Sequence, residues 1–307
     1  MRHLCLSGLL IAVCASAGCN WLIEDDARRI VEPVAMPGRL ALKMSGGSEK
    51  LIEKGRITNQ GHITAADGAK ISYWVLRHRQ VHPGATAADQ SRGTVLLIHP
   101  LLTSKTWFLS LAQVLSDRGF DVVLPDLRAH GESGGQYVTW GAKEKDDLKR
   151  VMDRLLKDKT VSNRIYVMGA SLGGCVAVQY AAYDKRCRGV VSICPPVGAR
   201  EVAGRILPLV SQHDLEERIR WAGRLASFDP AEASAAASAS KLQCPIILIH
   251  GKCDVVVPYQ HSEVIFQAAP EPRQLILQNW ADHMTVQVGQ DSYLADQLEA
   301  LTTMGKG

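Results

Sequence analysis

Apolar runs of strand length alternate along this chain with stretches of helical periodicity. Thr94–Leu102 reads TVLLIHPLL, Ile165–Met168 IYVM and Val190–Cys194 VVSIC. Asp121–Pro125 (DVVLP), Pro245–His250 (PIILIH) and Arg273–Gln278 (RQLILQ) complete the set of apolar strands. Between them, Thr106–Asp117 carries Phe108, Leu111 and Leu115 on one helical face and stops at Gly119. Lys143–Lys157 places Leu148, Val151, Met152 and Leu155 at helical spacing, with its charges expected on a solvated face. Strands alternating with helices imply right-handed crossovers and a mostly parallel sheet. Ahead of them, Gly61–Ala65 and Ala69–Leu76 flank Asp67-Gly68, which predicts an antiparallel hairpin at the sheet's start. His82–Gly93 is polar and holds Gly and Pro, so it predicts a loop. Residues 20–60, with Pro33, Pro37 and Ser45-Gly46-Gly47-Ser48, predict an N-terminal arm or tether rather than a domain.

The chemistry centres on Arg164–Cys175, RIYVMGASLGGC, a strand turned sharply into a helix with Ser171 at the apex. Gly169-x-Ser171-x-Gly173 is the nucleophile-elbow pattern, in which the neighbours two positions away must be small. Gly174 lets the new helix press close to the sheet. A serine hydroxyl needs a base, and the base an orienting acid. Asp254 follows the strand at PIILIH, and His283 follows the next one, in RQLILQNWADHMT. The order Ser171, Asp254, His283 is the one expected when all three come from loops at the C-terminal edge of one parallel sheet.

These motifs resemble the α/β-hydrolase fold from Gly61 to the C-terminus, roughly four-fifths of the chain. TVLLIHPLL is similar to the strand and oxyanion loop, DVVLPDLRAHGESGG to the Asp-x-Arg-Gly-His-Gly-x-Ser loop, and GASLGG, HGKCDVVVP and the final Asp-His complete the series. The resemblance implies Ser171, Asp254 and His283 as the catalytic set, and the backbone N–H groups of Leu101 and Leu172 as the oxyanion hole. Pro100 stands where the family more often has glycine, and proline offers no N–H. His99 is expected to support the oxyanion loop by hydrogen bonds, and Asp126, Arg128 and His130 to hold their own turn together. A small lid is implied between the sixth and seventh strands, about residues 196–240, with short helices at Arg200–Val210 and Leu215–Leu225. A further helix is expected after Asp229-Pro230. The implied reaction is serine hydrolysis of short- to medium-chain carboxylic esters, small-molecule substrates, without a cofactor. Thioesterase, aminopeptidase and carbon–carbon hydrolase chemistries stay open, as does a non-catalytic binding lipoprotein.

Composition narrows the partners. The chain has 307 residues, 46% hydrophobic and 21% charged, with net charge +4, which suits one domain plus appendages. No basic tract interleaved with aromatics supports nucleic-acid binding. No Cys-x-x-Cys or HExxH pattern suggests a metal, and His62, His78 and His82 fit a strand and a loop better than a ligand set.

The N-terminus differs in kind. Arg2 and His3 precede the apolar run Leu4–Val13 and a small-residue stretch, the layout of an export signal too short to span a membrane comfortably. Ser16-Ala17-Gly18-Cys19 resembles a bacterial lipobox, although that motif prefers leucine at the position of Ser16. The resemblance implies a signal peptide over residues 1–19, lipidation of Cys19 and a cell-envelope location on a membrane. A conventional cleavage near Ala17 and an uncleaved anchor are the other readings. Of the eight cysteines, the five beyond this segment cannot all pair internally and are expected mainly as small core residues.

Overall fold

The computed structural model describes residues 21–33, 57–78 and 91–304. The lipobox with Cys19, His82 and most of the 20–60 arm lie outside the described residues. Within them, eight strands form one sheet in the order β1-β2-β4-β3-β5-β6-β7-β8. They are β1 (Asn59–Thr64), β2 (Lys70–Leu76), β3 (Thr94–Ile98), β4 (Asp121–Pro125), β5 (Ile165–Ala170), β6 (Cys187–Ile193), β7 (Ile246–Gly251) and β8 (Arg273–Gln278). β1 and β2 form the expected antiparallel hairpin, β2 runs antiparallel to β4, and every later pairing is parallel.

Continuous apolar runs make these strands because both faces of the sheet are covered. Leu96, Ile98, Val167 and Leu248 face one core, while Val95, Leu97, Met168 and Ile249 face the other. The first core is closed by α3 (Glu144–Lys157), α4 (Leu172–Tyr183), α7 (Ala235–Ala239) and α8 (Gln260–Ala268). The second is closed by α2 (Leu109–Asp117) and α9 (Asp291–Thr303). The chain leaves β3 toward β4 on one side and reaches β5 on the other. That reversal opens a crevice beyond the carboxyl ends of β3 and β5, the place where such sheets bind ligands.

One expectation gains detail and two need correction. The first concerns the arm, whose opening is a helix: α1, residues 21–31. Its Ala27, Ile30 and Val31 are buried against Ala203, Leu207, Leu215 and Ile219 of the lid. Arg218 Nε donates to Asp26 Oδ2 at 2.7 Å, and Trp140 Nε1 donates to the Ile30 carbonyl at 2.9 Å.

The second concerns α3, whose charges are not all solvated. Glu144 accepts bonds from Thr139 N, Thr139 Oγ1 and Gly141 N, and Asp147 forms a two-bond pair with Arg128 at 2.8 and 2.9 Å.

The third concerns the helix after Asp229-Pro230, which is broken. Pro230–Glu232 makes one 3-10 turn with Asp229 Oδ1 capping Ala231 N at 2.9 Å, and α7 starts afresh at Ala235 with Ser234 as its cap. The cause is tertiary: Ala199 N donates to Ala233 O and Ala235 N donates to Val197 O, so residues 197–199 pair with the backbone where the helix would continue. The other lid helices are α5 (Ala199–Ile206) and α6 (Gln212–Ala226), close to the expected ranges.

Candidate active site

The sharp turn from β5 into α4 holds Ser171 at φ 54° and ψ −120°, a region that non-glycine residues rarely adopt. The neighbours show why glycine is needed here. A Cβ on Gly173 would lie 2.2 Å from the Ile98 carbonyl oxygen, and one on Gly169 would lie 2.2 Å from that of Gly173. Ser171 N–H donates to Ile193 O at 2.8 Å, which ties the turn to the end of β6. As the residue before the first turn of α4, Ser171 sits at the positive end of the helix.

Asp254 and His283 arrive from the loops after β7 and β8. Gly251 lets these loops touch: a Cβ there would lie 2.2 Å from Ala281 O. Lys252 N then donates to Gln278 O and Cys253 N to Ala281 O. His283 Nδ1 and Asp254 Oδ2 are 2.6 Å apart, and Asp254 Oδ1 accepts from Val256 N and Val257 N at 2.9 and 2.8 Å. His250 Nε2 approaches the same carboxylate at 3.3 Å. Burial alone would raise the Asp254 carboxyl, but bonds from His250, His283 and Val257 N outweigh it and hold its pKa well below the usual range. With Nδ1–H given to Asp254, His283 keeps Nε2 free as a base. Gln287 Nε2 donates to the His283 carbonyl at 2.6 Å and steadies the loop. Among the described residues, no hydrogen bond joins Ser171 Oγ to His283; such contacts often tighten only when substrate binds.

The oxyanion loop, residues 99–104, is held from beneath by two neutral histidines. His99 Nδ1–H donates to Pro100 O at 2.7 Å, and its Nε2 accepts from Leu127 N at 3.0 Å. His130 Nε2 accepts from Leu102 N at 3.3 Å, while its Nδ1 meets Arg128 O at 2.9 Å. Burial lowers both pKa values, so each ring stays uncharged. The support expected of His99 is present, and His130 braces the oxyanion loop as well as its own turn. Leu101 and Leu172, the expected donors, lie just past the carboxyl ends of β3 and β5. Among the described residues neither N–H has a hydrogen-bond partner, which leaves both available to an oxyanion.

Lys105 was not singled out by its sequence context. Its ammonium is buried, 2.5 Å from Asp126 Oδ2, 2.6 Å from Glu132 Oε2 and 3.0 Å from Ser72 Oγ, and it lies 4.8 Å from the Trp74 ring centre. Lys105 N also donates to Asp126 Oδ1 at 2.7 Å, so the Asp126 turn anchors the far end of the oxyanion loop. A lysine in a polar stretch carries no signal of burial; only the partners reveal it.

Cys194 is buried in the core as expected, and its thiol also lies close to the His283–Asp254 pair. Cys194 Sγ, the Asp254 carboxylate and a His283 ring nitrogen fall within 4.8 Å of one another, the one such group of possible metal ligands among the described residues. The donor set does not fit a metal. Two members already bond to each other, and burial together with the Asp254 charge pushes the Cys194 thiol well up, away from the thiolate a metal requires. Cys253, beside Asp254, points instead to Asn279 O.

Ser171 opens into a cleft of about 370 Å³. Leu101, Trp140 and Pro196 line it, together with Glu201, Val202, Arg205 and Ile206 from α5 of the lid, Val255–Val257 and His261. Arg205 fastens the lid to the Asp254 loop through the Val255 carbonyl.

Residues 93–220 match a family model described as alpha/beta hydrolase fold. Relatives include the uncharacterized protein YfhR of Escherichia coli, 27% identical over 226 residues, with 72% of each chain covered. The putative esterase YitV of Bacillus subtilis is 26% identical over 216 residues, covering 62% of this chain and 82% of that one. In structure the chain is similar to the Pyrococcus furiosus esterase Pf2001, with a TM-score of 0.61 and 25% identity over 80% of this chain and 92% of that one. Sheet order and elbow geometry agree with that model, and the chain has the α/β hydrolase fold.

Proposed function

We propose that this protein is a serine hydrolase of carboxylic esters, with Ser171 as nucleophile, His283 as base and Asp254 as its orienting acid. The observation that carries the reading is the pairing of a strained Ser171 at a helix start with a 2.6 Å His283–Asp254 bond at the same sheet edge. His283 Nε2 takes the Ser171 proton as Oγ attacks the ester carbonyl. The oxyanion of the tetrahedral intermediate is received by the Leu101 and Leu172 N–H groups, each worth about 3–4 kcal/mol to the transition state. The imidazolium then protonates the departing alcohol. Water, deprotonated by the same imidazole, attacks the acyl-enzyme, releases the acid and restores Ser171. No step calls for a metal or an organic cofactor.

The test is covalent labelling with a fluorophosphonate, followed by peptide mapping and ester kinetics. The adduct is expected on Ser171, and Ser171→Ala should lose labelling together with about 10⁴- to 10⁶-fold of kcat. Turnover that survives in Ser171→Ala, or an adduct elsewhere, would overturn the assignment. Parallel rates on matched ester, thioester and amide substrates identify the acyl group transferred.

The lipobox-like Ser16–Cys19 stretch supports a second element of the proposal: lipidation at Cys19, and with it a place on a membrane of the cell envelope. Cys19→Ala should move the protein out of the membrane fraction. Unchanged fractionation with lipid still attached would rule that cysteine out.

A further inference from the structure

The apolar side chains left exposed by this fold are concentrated on one edge. Leu102 follows β3, Val255 and Val256 follow β7, Trp280 and Met284 follow β8, and Leu209 is the turn between α5 and α6. All of these positions lie at the carboxyl ends of the parallel strands or on the lid above them. Leu209 is 99% exposed and Trp280 91%, values that leave essentially the whole side chain in water. Isolated exposed leucines are ordinary, but a cluster of this size around a cleft marks a surface that is covered in use.

The first described residues, at the start of α1, lie at the same edge. α1 lies alongside α6: Asp26 pairs with Arg218, and the far end of α1 delivers the Val31 carbonyl to Val138 N at 2.9 Å. The far end of α6 runs on to Glu232, which reaches Lys145, close in sequence to Val138. The two helices therefore run the same way, and the start of α1 is level with the start of α6, beside the Leu209 turn. There Trp21 is 67% exposed and Leu22 53%. Cys19 is two residues earlier, a span of at most about 7 Å. A lipid on that cysteine would start within that reach of Trp21, an indole of the kind that favours a membrane–water boundary.

We infer that the lid tip and the loop carrying His283 form a lipid-binding surface, so that Leu209 and Trp280 enter the same bilayer that holds the N-terminus. The cleft mouth then faces the membrane, and an ester substrate passes from the lipid phase to Ser171 without crossing bulk water. The inference rests on the ester and Cys19 readings above, and the experiment separates it from both.

The full-length, lipid-modified chain is reconstituted into phosphatidylethanolamine–phosphatidylglycerol vesicles with and without bromine on the acyl chains, a quencher that reaches only inserted tryptophans. Quenching should be present in the parent and reduced in both Trp280→Phe and Trp21→Phe. A reduction in Trp21→Phe alone would leave the anchor standing and overturn the inference, because the catalytic edge would then face away. No reduction in either variant would remove both. This readout does not depend on turnover, so it stands whatever the fate of the ester reading. In kinetics, Leu209→Asp/Trp280→Asp should lose at least about tenfold of kcat/KM on an ester dissolved in the vesicles, as expected when two large apolar groups lose their burial. It should keep the parent rate on a water-soluble short-chain ester. An equal fall on both substrates would overturn the inference, as would a dimer in sedimentation that the double variant dissociates, since the surface would then belong to a second copy.

Discussion

Asp254, the proposed orienting acid, is also placed to contribute to stability. It receives two backbone N–H groups and the His283 imidazole, with His250 Nε2 3.3 Å away, a set of partners that favours its ionised form. Its folded pKa lies below its unfolded value of about 4, so its stabilisation is complete above about pH 4 and is lost as the pH falls through the folded value. Asp254→Asn removes that dependence. Between about pH 5 and about pH 3, the urea midpoint of the variant should fall less steeply than that of the parent. Equal slopes would place the acid sensitivity elsewhere. The sequence identified Asp254 and His283 by their places after successive strands. It was silent on Lys105 and placed Cys194 only in the core; what each side chain meets depends on neighbours distant along the chain.

At the scale of elements, α1 is the clearest case of a signal overlooked. Ile23, Ala27, Ile30 and Val31 have helical spacing, and Arg28 bridges Glu24 and Glu32 at i±4 positions. The prolines and the Gly/Ser stretch further along predict a tether or arm and carry no helical signal of their own. An isolated helix of this length is marginal in water, so packing on the lid is what holds it. Ile30→Asp buries a carboxylate in that contact and should detach the helix while leaving the sheet intact. Hydrogen exchange would show this as lost protection confined to residues 21–33 and the facing lid helices. Slow exchange retained in α1 would mean that its contacts are not the ones described. α7 teaches the opposite lesson: the Asp229-Pro230 signal was sound, but a backbone bridge from residues 197–199 ended the first turn.

For the molecule as a whole, the size of the cleft sets the expected substrate. A space of about 370 Å³ lies at the small end for ligand pockets, and residues 21–33 do not extend it, since α1 packs on the lid. Each methylene buried adds about 0.8 kcal/mol only while there is wall to cover it. On monomeric, water-soluble esters, kcat/KM should therefore rise to acyl chains of about four to eight carbons and then fall. A steady rise to about sixteen carbons would require a longer channel than the lid and sheet provide.

The sequence by itself determined the architecture and the order of the chemistry. Runs of apolar residues specify strands, Gly169 and Gly173 permit one turn geometry, and the turn signals place Ser171, Asp254 and His283 on loops after β5, β7 and β8 at one edge. These are local properties, legible because backbone sterics and hydrophobic period act over a few residues. The tertiary structure decided what depends on distant partners: Lys105 buried between Asp126 and Glu132, the two histidines bracing the oxyanion loop, α1 folded onto the lid, and the helix broken at Ala233. Each is an interaction between segments far apart in sequence, and its energy comes from burial and charge pairing that exist only once the segments meet.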